Sequence, residues 1–362
     1  MVCLSVPCKT GSCKPNCALG TEGTFLRHLY SLILPALAVC AAPALANVTI
    51  SYPFSGAHVA SPFGLAASAS PCDSQAIVAM GYSIDNNADA AIVKGAALNV
   101  TASAGTGSHV VHVKAWGSSG AVCLSNMNVN VVPPATSAVP SIARVSRSIQ
   151  AMSNWEAAND TATGGGSSTG LMELVGAPSL SGSARRFVTS FSNAAGERYD
   201  VSFGADIAAE NFLYDGWVYI AGSSSMIANL EMDMNQVTAN GQTVIYGIQC
   251  DGYSSTWDYT ANTGSPSKPV DKWFHTTAHC NPREWGTNSW HHVQLLYSRN
   301  LLGQVIYKSI WLDNIESPLN VTVPSTFALG WGSTLLTNFQ VDGLGASGTS
   351  NVYLDKLTVY RW

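Results

Sequence analysis

The chain has 362 residues, only 11% of them charged, with a formal net charge of −5 and 46% hydrophobic content. It has no basic stripe with which to hold phosphate groups, so its composition argues against a nucleic-acid partner. The low charge and the many turn-forming residues are typical of an exported all-β protein, and the length predicts two folded domains.

Residues 1–46 are predicted to be a leader and signal peptide. The apolar run Leu29–Val39 follows Arg27 and His28 and is too short to span a bilayer. It is followed by Ala44-Leu45-Ala46, a small-residue cleavage site. We therefore expect cleavage near Ala46 and a secreted or cell-surface mature chain without a transmembrane segment. Lipid attachment at Cys40 is the alternative, but the preceding valine disfavours it.

Four cysteines remain in the expected mature chain, and they allow three pairings. They are Cys72, Cys123, Cys250 and Cys280. If each domain folds on its own, the first two pair with each other and so do the last two. Each bridge would then contribute roughly 3–4 kcal/mol in the chain-entropy account. A metal site is the competing interpretation, but the sequence has no C-x-x-C or neighbouring Cys/His spacing.

Residues 47–133 are predicted to form an immunoglobulin-like sandwich, because short alternating stretches recur between turn signals. The predicted strands are Val48–Tyr52, Leu65–Ala69, Ile77–Asp85, Leu98–Ala102, His109–Trp116 and Asn126–Val132. The segments VTISYPFSGAHVASP and GSHVVHVKAWGSSGAV resemble the bacterial immunoglobulin-like modules of secreted and surface proteins. This resemblance implies a spacer or an accessory to binding.

Residues 134–150 are predicted to be a linker, because prolines and small polar residues dominate its start. Residues 151–362 then carry about ten short strand patterns and no amphipathic helix of three turns, as expected of a two-sheet jelly roll. The segments WHHVQLLYSRN, GQVIYKSIWLDN and NVYLDKLTVYRW resemble the C-terminal hairpins of concanavalin A-like lectin and glucanase domains. The resemblance implies a concanavalin A-like jelly-roll sandwich.

The stretch Asn229–Val237 alternates polar and apolar residues with period two, which predicts a strand with two different faces. Its apolar face would consist of Leu230, Met232 and Met234. Its polar face would consist of Glu231, Asp233 and Asn235. Such a face is either the floor of a binding cleft or simply the solvated side of an antiparallel sheet.

The segment EMDMNQ within this stretch resembles the E-x-D-x-(x)-E strand of jelly-roll glycoside hydrolases, the laminarinase, lichenase and cellobiohydrolase group. The resemblance implies that Glu231 is the nucleophile and that Asp233 orients it. The acid/base position falls on Asn235 or Gln236, and neither can donate a proton as a carboxylic acid. Loss of a positioned acid typically lowers the rate by about 10²–10⁴-fold, so this departure puts catalysis in doubt.

Binding of a sugar would use flat aromatic rings, on which the apolar C–H faces of sugars stack. The segment Cys250–Tyr259, directly after the strand that follows the Glu231 strand, is rich in aromatic residues and is a candidate cleft wall. We predict stacking by Trp257 and Trp273, although a core role is equally compatible with either tryptophan. The other predicted binding residues are Asn235, Gln249 and Tyr259.

The sequence therefore predicts a secreted carbohydrate-binding protein that recognises a polysaccharide or cell-surface glycan in a jelly-roll cleft. One alternative is a retaining, β-glucanase-like glycoside hydrolase with Glu231 as nucleophile. A polysaccharide lyase is less favoured, and a non-catalytic adhesion protein is a further alternative. The side chains considered for the lyase are Gln249, His291 or His292, Tyr297 and Arg299. No cofactor is expected, apart from a structural calcium to which no ligands are assigned.

Overall fold

The computed structural model describes residues 48–160 and 165–362, and 62% of it is strand against 3% helix. The predicted all-β class is confirmed. None of the helices in the described ranges is long and apolar enough to cross a bilayer. The predicted signal peptide lies outside the described residues.

The first part of the described chain forms a two-sheet sandwich. Its strands are β1 (Val48–Tyr52), β2 (Ala57–Ala60), β3 (Phe63–Ala69), β4 (Ile77–Ile84), β5 (Ala91–Lys94), β6 (Ala97–Ala102), β7 (Gly107–Gly117) and β8 (Val122–Val132). One sheet has the order β1-β3-β6, and the other contains β2-β8-β7-β4-β5. Apolar side chains of both sheets, among them Phe63, Leu65 and Met80, fill the space between them. Cys72 and Cys123 form the predicted disulfide.

Residues 134–150, predicted to be a linker, contain short regular elements. They are a 3₁₀ helix at Ala135–Ala138, strand β9 (Arg144–Ser146) and the start of a second 3₁₀ helix at Ile149–Ala151. Ile149 is fully buried in the core of the second sandwich. The Gln150 side chain donates to Asp355 and accepts from the backbone N–H of Leu357. The second half of this segment therefore packs against the C-terminal sandwich.

The rest of the described chain forms a larger sandwich. Its strands are β10 (Glu156–Asp160), β11 (Ser167–Val175), β12 (Ala184–Ser192), β13 (Gly196–Ser202), β14 (Asn211–Ile220), β15 (Ile227–Val237), β16 (Thr243–Tyr246), β17 (Ile248–Asp251), β18 (Thr256–Asn262), β19 (Asp271–His279), β20 (Trp290–Arg299), β21 (Gln304–Leu312), β22 (Ile315–Pro324), β23 (Thr326–Phe327), β24 (Leu335–Gly343) and β25 (Ser347–Arg361), with a 3₁₀ helix at Pro282–Glu284. One face is a nine-stranded sheet with the order β10-β13-β24-β15-β17-β18-β19, to which β16 and β23 add. The facing layer has the order β11-β12-β25-β14-β20-β21-β22.

The two sandwiches share one sheet. Strand β2 pairs with β22 on one side and with β8 on the other, so thirteen strands form one hydrogen-bonded sheet. The turn between β21 and β22 also contacts the first sandwich. Asn314 accepts from the backbone N–H of Ala60 at 2.7 Å, and Tyr52 Oη donates to the carbonyl of Asp313 at 2.9 Å. The first sandwich is therefore joined to the second through backbone pairing as well as through the covalent chain.

Candidate functional site

Strand β15 has the two faces that its period-two pattern predicts. Its inward side chains are completely buried between the sheets and are Leu230, Met232 and Met234. Its outward side chains are only 4–9% exposed and are Glu231, Asp233 and Asn235. An open solvated face would leave such polar side chains far more exposed. These side chains instead lie at the bottom of a depression on the outer face of the nine-stranded sheet.

This depression consists of two adjoining hollows of about 360 and 490 Å³. Both are lined by Asp160, Glu231, Trp273 and Gln340, so the hollows form one groove, and this name is kept below. Its floor comes from neighbouring strands that present polar side chains at alternate positions. Strands β10, β13, β24, β15, β17, β18 and β19 all contribute. The sheet thus places residues that are distant in the chain side by side.

Three carboxylates converge on one amide at the centre of the groove. Gln340 Nε2 lies 3.0 Å from Asp160 Oδ2, 3.0 Å from Glu231 Oε1 and 2.9 Å from Asp342 Oδ1. Gly196 pairs with Asp342 across β13 and β24, and a Cβ at Gly196 would collide with the Asp342 carboxylate. The missing side chain on β13 therefore makes room for a carboxylate on β24.

Burial changes the acidity of these groups. It raises the pKa of Glu231 well above its ordinary value, and the neighbouring Asp342 and Asp233 raise this pKa further. Burial also raises the pKa of Asp342 to about 7, against the opposing effect of the hydrogen bond from Gln340. The pKa of Asp233 is raised to about 7 for the same reason, although it accepts hydrogen bonds from Asn338 and from the backbone of Ile248. At neutral pH, this floor can therefore supply both carboxylic acids and carboxylates.

The positive charge of the groove lies beside its centre, because Arg198 pairs with Gln340 across β13 and β24. Arg198 Nε donates to Asp200 Oδ2 at 2.9 Å. Asp271 accepts a short hydrogen bond from the Thr260 hydroxyl, and burial raises the pKa of this carboxyl. Among the described residues that line the groove, Arg198 is the only basic one, so the groove as a whole is acidic.

Three of the predicted binding residues line the groove: Asn235, Gln249 and Trp273. Trp273 is on β19, the last strand of the sheet, and lines both hollows. Two more aromatic side chains line the groove and are well exposed, Trp331 at 42% and Tyr253 at 62%. These two side chains were not predicted, because both lie outside strands and no periodicity indicates where a loop side chain points.

The prediction that Trp257 and Tyr259 face the groove is wrong. Trp257 is 1% exposed and packs in the core beside Trp285, with ring centroids 6.3 Å apart. Tyr259 packs between Phe274 and Tyr307 on the same side of the sheet. The physical reason is the alternation of β18, in which the apolar residues face inward and the polar ones outward. The sequence TWDYTAN already contains this signal, in the same form as on β15.

A second cluster lies at the edge of the same sheet. Asp251, Asp258 and His275 bring potential ligand atoms within 4.8 Å of one another, on β17, β18 and β19. His275 Nδ1 is 2.8 Å from Asp258 Oδ2 and 4.0 Å from Asp251 Oδ2. The predicted Cys250–Cys280 disulfide is present next to Asp251. Two carboxylates and an imidazole are a donor set that suits a transition metal better than calcium, which prefers oxygen ligands.

The side chains considered for a lyase do not come together. His291, Tyr297 and Arg299 are on β20, which belongs to the sheet opposite the groove. Tyr297 is buried in the core, and His291 is held by Asp313 at 2.7 Å. The alternative histidine, His292, contacts Asp215, and Arg299 donates to Gln236. Gln249, by contrast, lines the groove. A proton-transfer site made from these side chains is therefore not formed.

No family model and no curated protein matches this chain. A solved structure described as "Structural basis for the promiscuous specificity of the carbohydrate-binding modules from the beta-sandwich super family" is similar at 11% identity and a TM-score of 0.31, over 86% of this chain and 96% of that chain. Arcelin-5, a lectin-like defense protein from Phaseolus vulgaris, is similar at 11% identity and a TM-score of 0.35, over 61% of this chain and 99% of that chain. A family 7 alginate lyase, A1-II', in complex with substrate is similar at 11% identity and a TM-score of 0.26, over 50% of this chain and 79% of that chain. These values describe a remote likeness, from which no activity follows.

Proposed function

We propose that this chain is a secreted carbohydrate-binding protein that holds a polysaccharide or cell-surface glycan in the groove. The observation that carries the proposal is the combination of a polar floor with a partly exposed tryptophan. Trp273 lines both hollows, beside the floor formed by Glu231, Gln340 and their neighbours. In this proposal the first sandwich is an immunoglobulin-like spacer, and the signal peptide directs export.

A sugar chain fits this groove for two physical reasons. Its hydroxyl groups need both donors and acceptors, and the floor supplies carboxylates as well as the amides of Asn235, Gln249 and Asn338. Its C–H faces need an apolar platform, which the rings of Trp273 and Trp331 provide. Because the two hollows adjoin, the groove can contact more than one sugar unit.

The test is binding to a panel of soluble polysaccharides, measured by affinity electrophoresis and calorimetry. Trp273→Ala should lower the affinity for the bound glycan about tenfold, because a stacking platform is lost. The matched control is Trp217→Ala. Trp217 stacks on His292 in the opposite sheet, and its loss should leave the affinity unchanged. If the protein binds no polysaccharide, or if both variants weaken binding equally, the proposal is wrong.

A retaining glycoside hydrolase is the second candidate function. It is favoured by Asp342, a carboxylate that lies outside the EMDMNQ motif of β15. Glu231 Oε1 and Asp342 Oδ1 each contact Gln340 Nε2, so they lie no more than about 5.9 Å apart, the sum of the two distances. Retaining enzymes hold their carboxyl groups about 5–5.5 Å apart. With its raised pKa, Asp342 could serve as the acid that Asn235 and Gln236 cannot provide.

This second candidate is tested by the release of reducing ends from β-glucans. Glu231→Gln and Asp342→Asn should each abolish release and leave the fold intact. Asp200→Asn, which changes a groove carboxylate paired with Arg198, should retain most of the activity. If the wild-type protein binds a glycan but releases no reducing ends, it is a binding protein only.

A further inference from the structure

The groove concentrates negative charge in a protein that has little charge elsewhere. Charged residues make up 11% of the chain, yet six carboxylates line the two hollows. They are Asp160, Asp200, Glu231, Asp233, Asp271 and Asp342. The single lining cation, Arg198, is in an ion pair with Asp200 and also attracts Asp160 and Asp233. One cation therefore faces six carboxyl groups, and its ion pair is not with Glu231 or Asp342.

Among the described residues, the hydrogen-bond donors to Glu231 and Asp342 are neutral amides. The ion pairs found among residues 48–160 and 165–362 include none with Glu231, Asp233 or Asp342. Glu231 accepts a hydrogen bond from Gln340, and Asp342 accepts from Gln340 and Asn229. A buried carboxylate that lacks a cation is unfavourable, and this cost is removed either by uptake of a proton or by the arrival of a positive group.

The hydrogen-bond count at the centre of the groove also favours a positive ligand. The amide nitrogen of Gln340 has two hydrogens, but three carboxylate oxygens lie within 3.0 Å of it. This amide therefore cannot donate a full hydrogen bond to all three oxygens. A protonated primary amine has three hydrogens and a positive charge, so it matches such a set of acceptors.

Building on the proposed function, we propose that the glycan in this groove is an amino polysaccharide with free, protonated amines. Glu231 and Asp342 hold the ammonium group as carboxylates, and a proton that either of them carries in the free protein is released to solvent on binding. Trp273 stacks on the face of the same sugar or of its neighbour. A neutral glycan leaves these carboxylates without a cation. A polyuronate brings further negative charge into the groove and is repelled.

The experiment compares four oligosaccharides of equal length by calorimetry at about pH 6, where amines are protonated. They are a glucosamine oligomer, its fully N-acetylated counterpart, a cello-oligosaccharide and an oligouronate. We expect the glucosamine oligomer to bind at least tenfold more tightly than its acetylated counterpart, and its affinity to fall with added salt. The oligouronate should bind least.

Variants locate the effect in the groove. Glu231→Gln and Asp342→Asn should each weaken binding of the glucosamine oligomer at least tenfold, and by a clearly larger factor than they weaken binding of the acetylated and cello-oligosaccharides. The matched control is Glu173→Gln, which removes the same charge from an exposed position paired with Arg186 on another strand, and it should have no effect. Thermal unfolding shows whether each variant is folded.

The possible failures differ from one another. Equal affinity for the free and acetylated oligomers, or tighter binding of the oligouronate, overturns the amino-sugar proposal and leaves glycan binding in place. If none of the four oligosaccharides binds, and the polysaccharide panel is negative as well, both proposals are wrong.

Discussion

The buried carboxylates of the groove should make the protein less stable at neutral pH than at acidic pH, and Asp233→Asn tests this directly. Asp233 is 9% exposed, and its pKa is about 7 in the folded protein against an ordinary value of 3.8. The unfolded chain therefore releases this proton before the folded protein does. The favourable contribution of protonated Asp233 to the unfolding free energy is fully present below about pH 4 and is lost as pH rises through 7. Above that pH, this group no longer changes the stability.

The size of the effect follows from the two pKa values. One pKa unit corresponds to about 1.4 kcal/mol, so ionising Asp233 in the folded protein costs up to roughly 4 kcal/mol above pH 7. The Asn variant avoids this cost and keeps an oxygen for the Ile248 N–H, which lies 3.1 Å from Asp233 Oδ1. It loses the acceptor for Asn338, which removes about 1 kcal/mol. We expect a net stabilisation of roughly 2–3 kcal/mol at pH 8 and none at pH 4.

The assay is urea unfolding of both proteins at pH 4, 6 and 8, because the difference at each pH cancels the groups common to both. The control is Asp355→Asn, which should act in the opposite direction. Burial raises the pKa of Asp355, but hydrogen bonds from Ser179, Leu180 and Ser181 outweigh this effect and lower it. The unfolding free energy of this variant should be lower than that of the wild type by roughly 2–3 kcal/mol at pH 8 and by less at pH 4. A destabilised Asp233→Asn at pH 8 would refute the reasoning.

Further predictions concern the walls of the groove and the sheet that carries it. Trp257→Ala should lower the unfolding free energy by about 3–5 kcal/mol in urea, whereas Trp273→Ala should change it by less than about 1 kcal/mol. Cys250→Ser, which opens the 30-residue loop closed by Cys280, should lower it by roughly 3–4 kcal/mol in the same assay. Gly196→Ala should displace the adjacent floor carboxylate and weaken binding of the glucosamine oligomer, as measured by calorimetry.

The local sequence pattern was sufficient to predict the features that depend on residues close together in the chain. The alternation of β15 gave its two faces, because a strand with one buried side must repeat with period two. The two disulfides followed from assigning each cysteine pair to its own sandwich. The all-β class followed from short strand patterns separated by turn residues.

The partners of Glu231 could not be predicted in the same way. Gln340 is 109 residues away along the chain, and only the order of the strands brings it beside β15. Asp342 was missed for the same reason, although it supplies the second carboxylate. The error at Trp257 has a different origin: its aromatic character was given more weight than the alternation around it.

The junction between β2 and β22 also has a consequence for anyone who shortens this chain. The edge of a sheet carries unpaired N–H and C=O groups that recruit other strands, and β2 covers the start of β22 at Ile315 and Glu316. Ile315 also packs against the core of the first sandwich. A fragment that begins after residue 133 would uncover this apolar side chain and this strand edge together. Self-association of such a fragment would then be caused by the newly exposed edge of β22. It would not represent the behaviour of the intact protein.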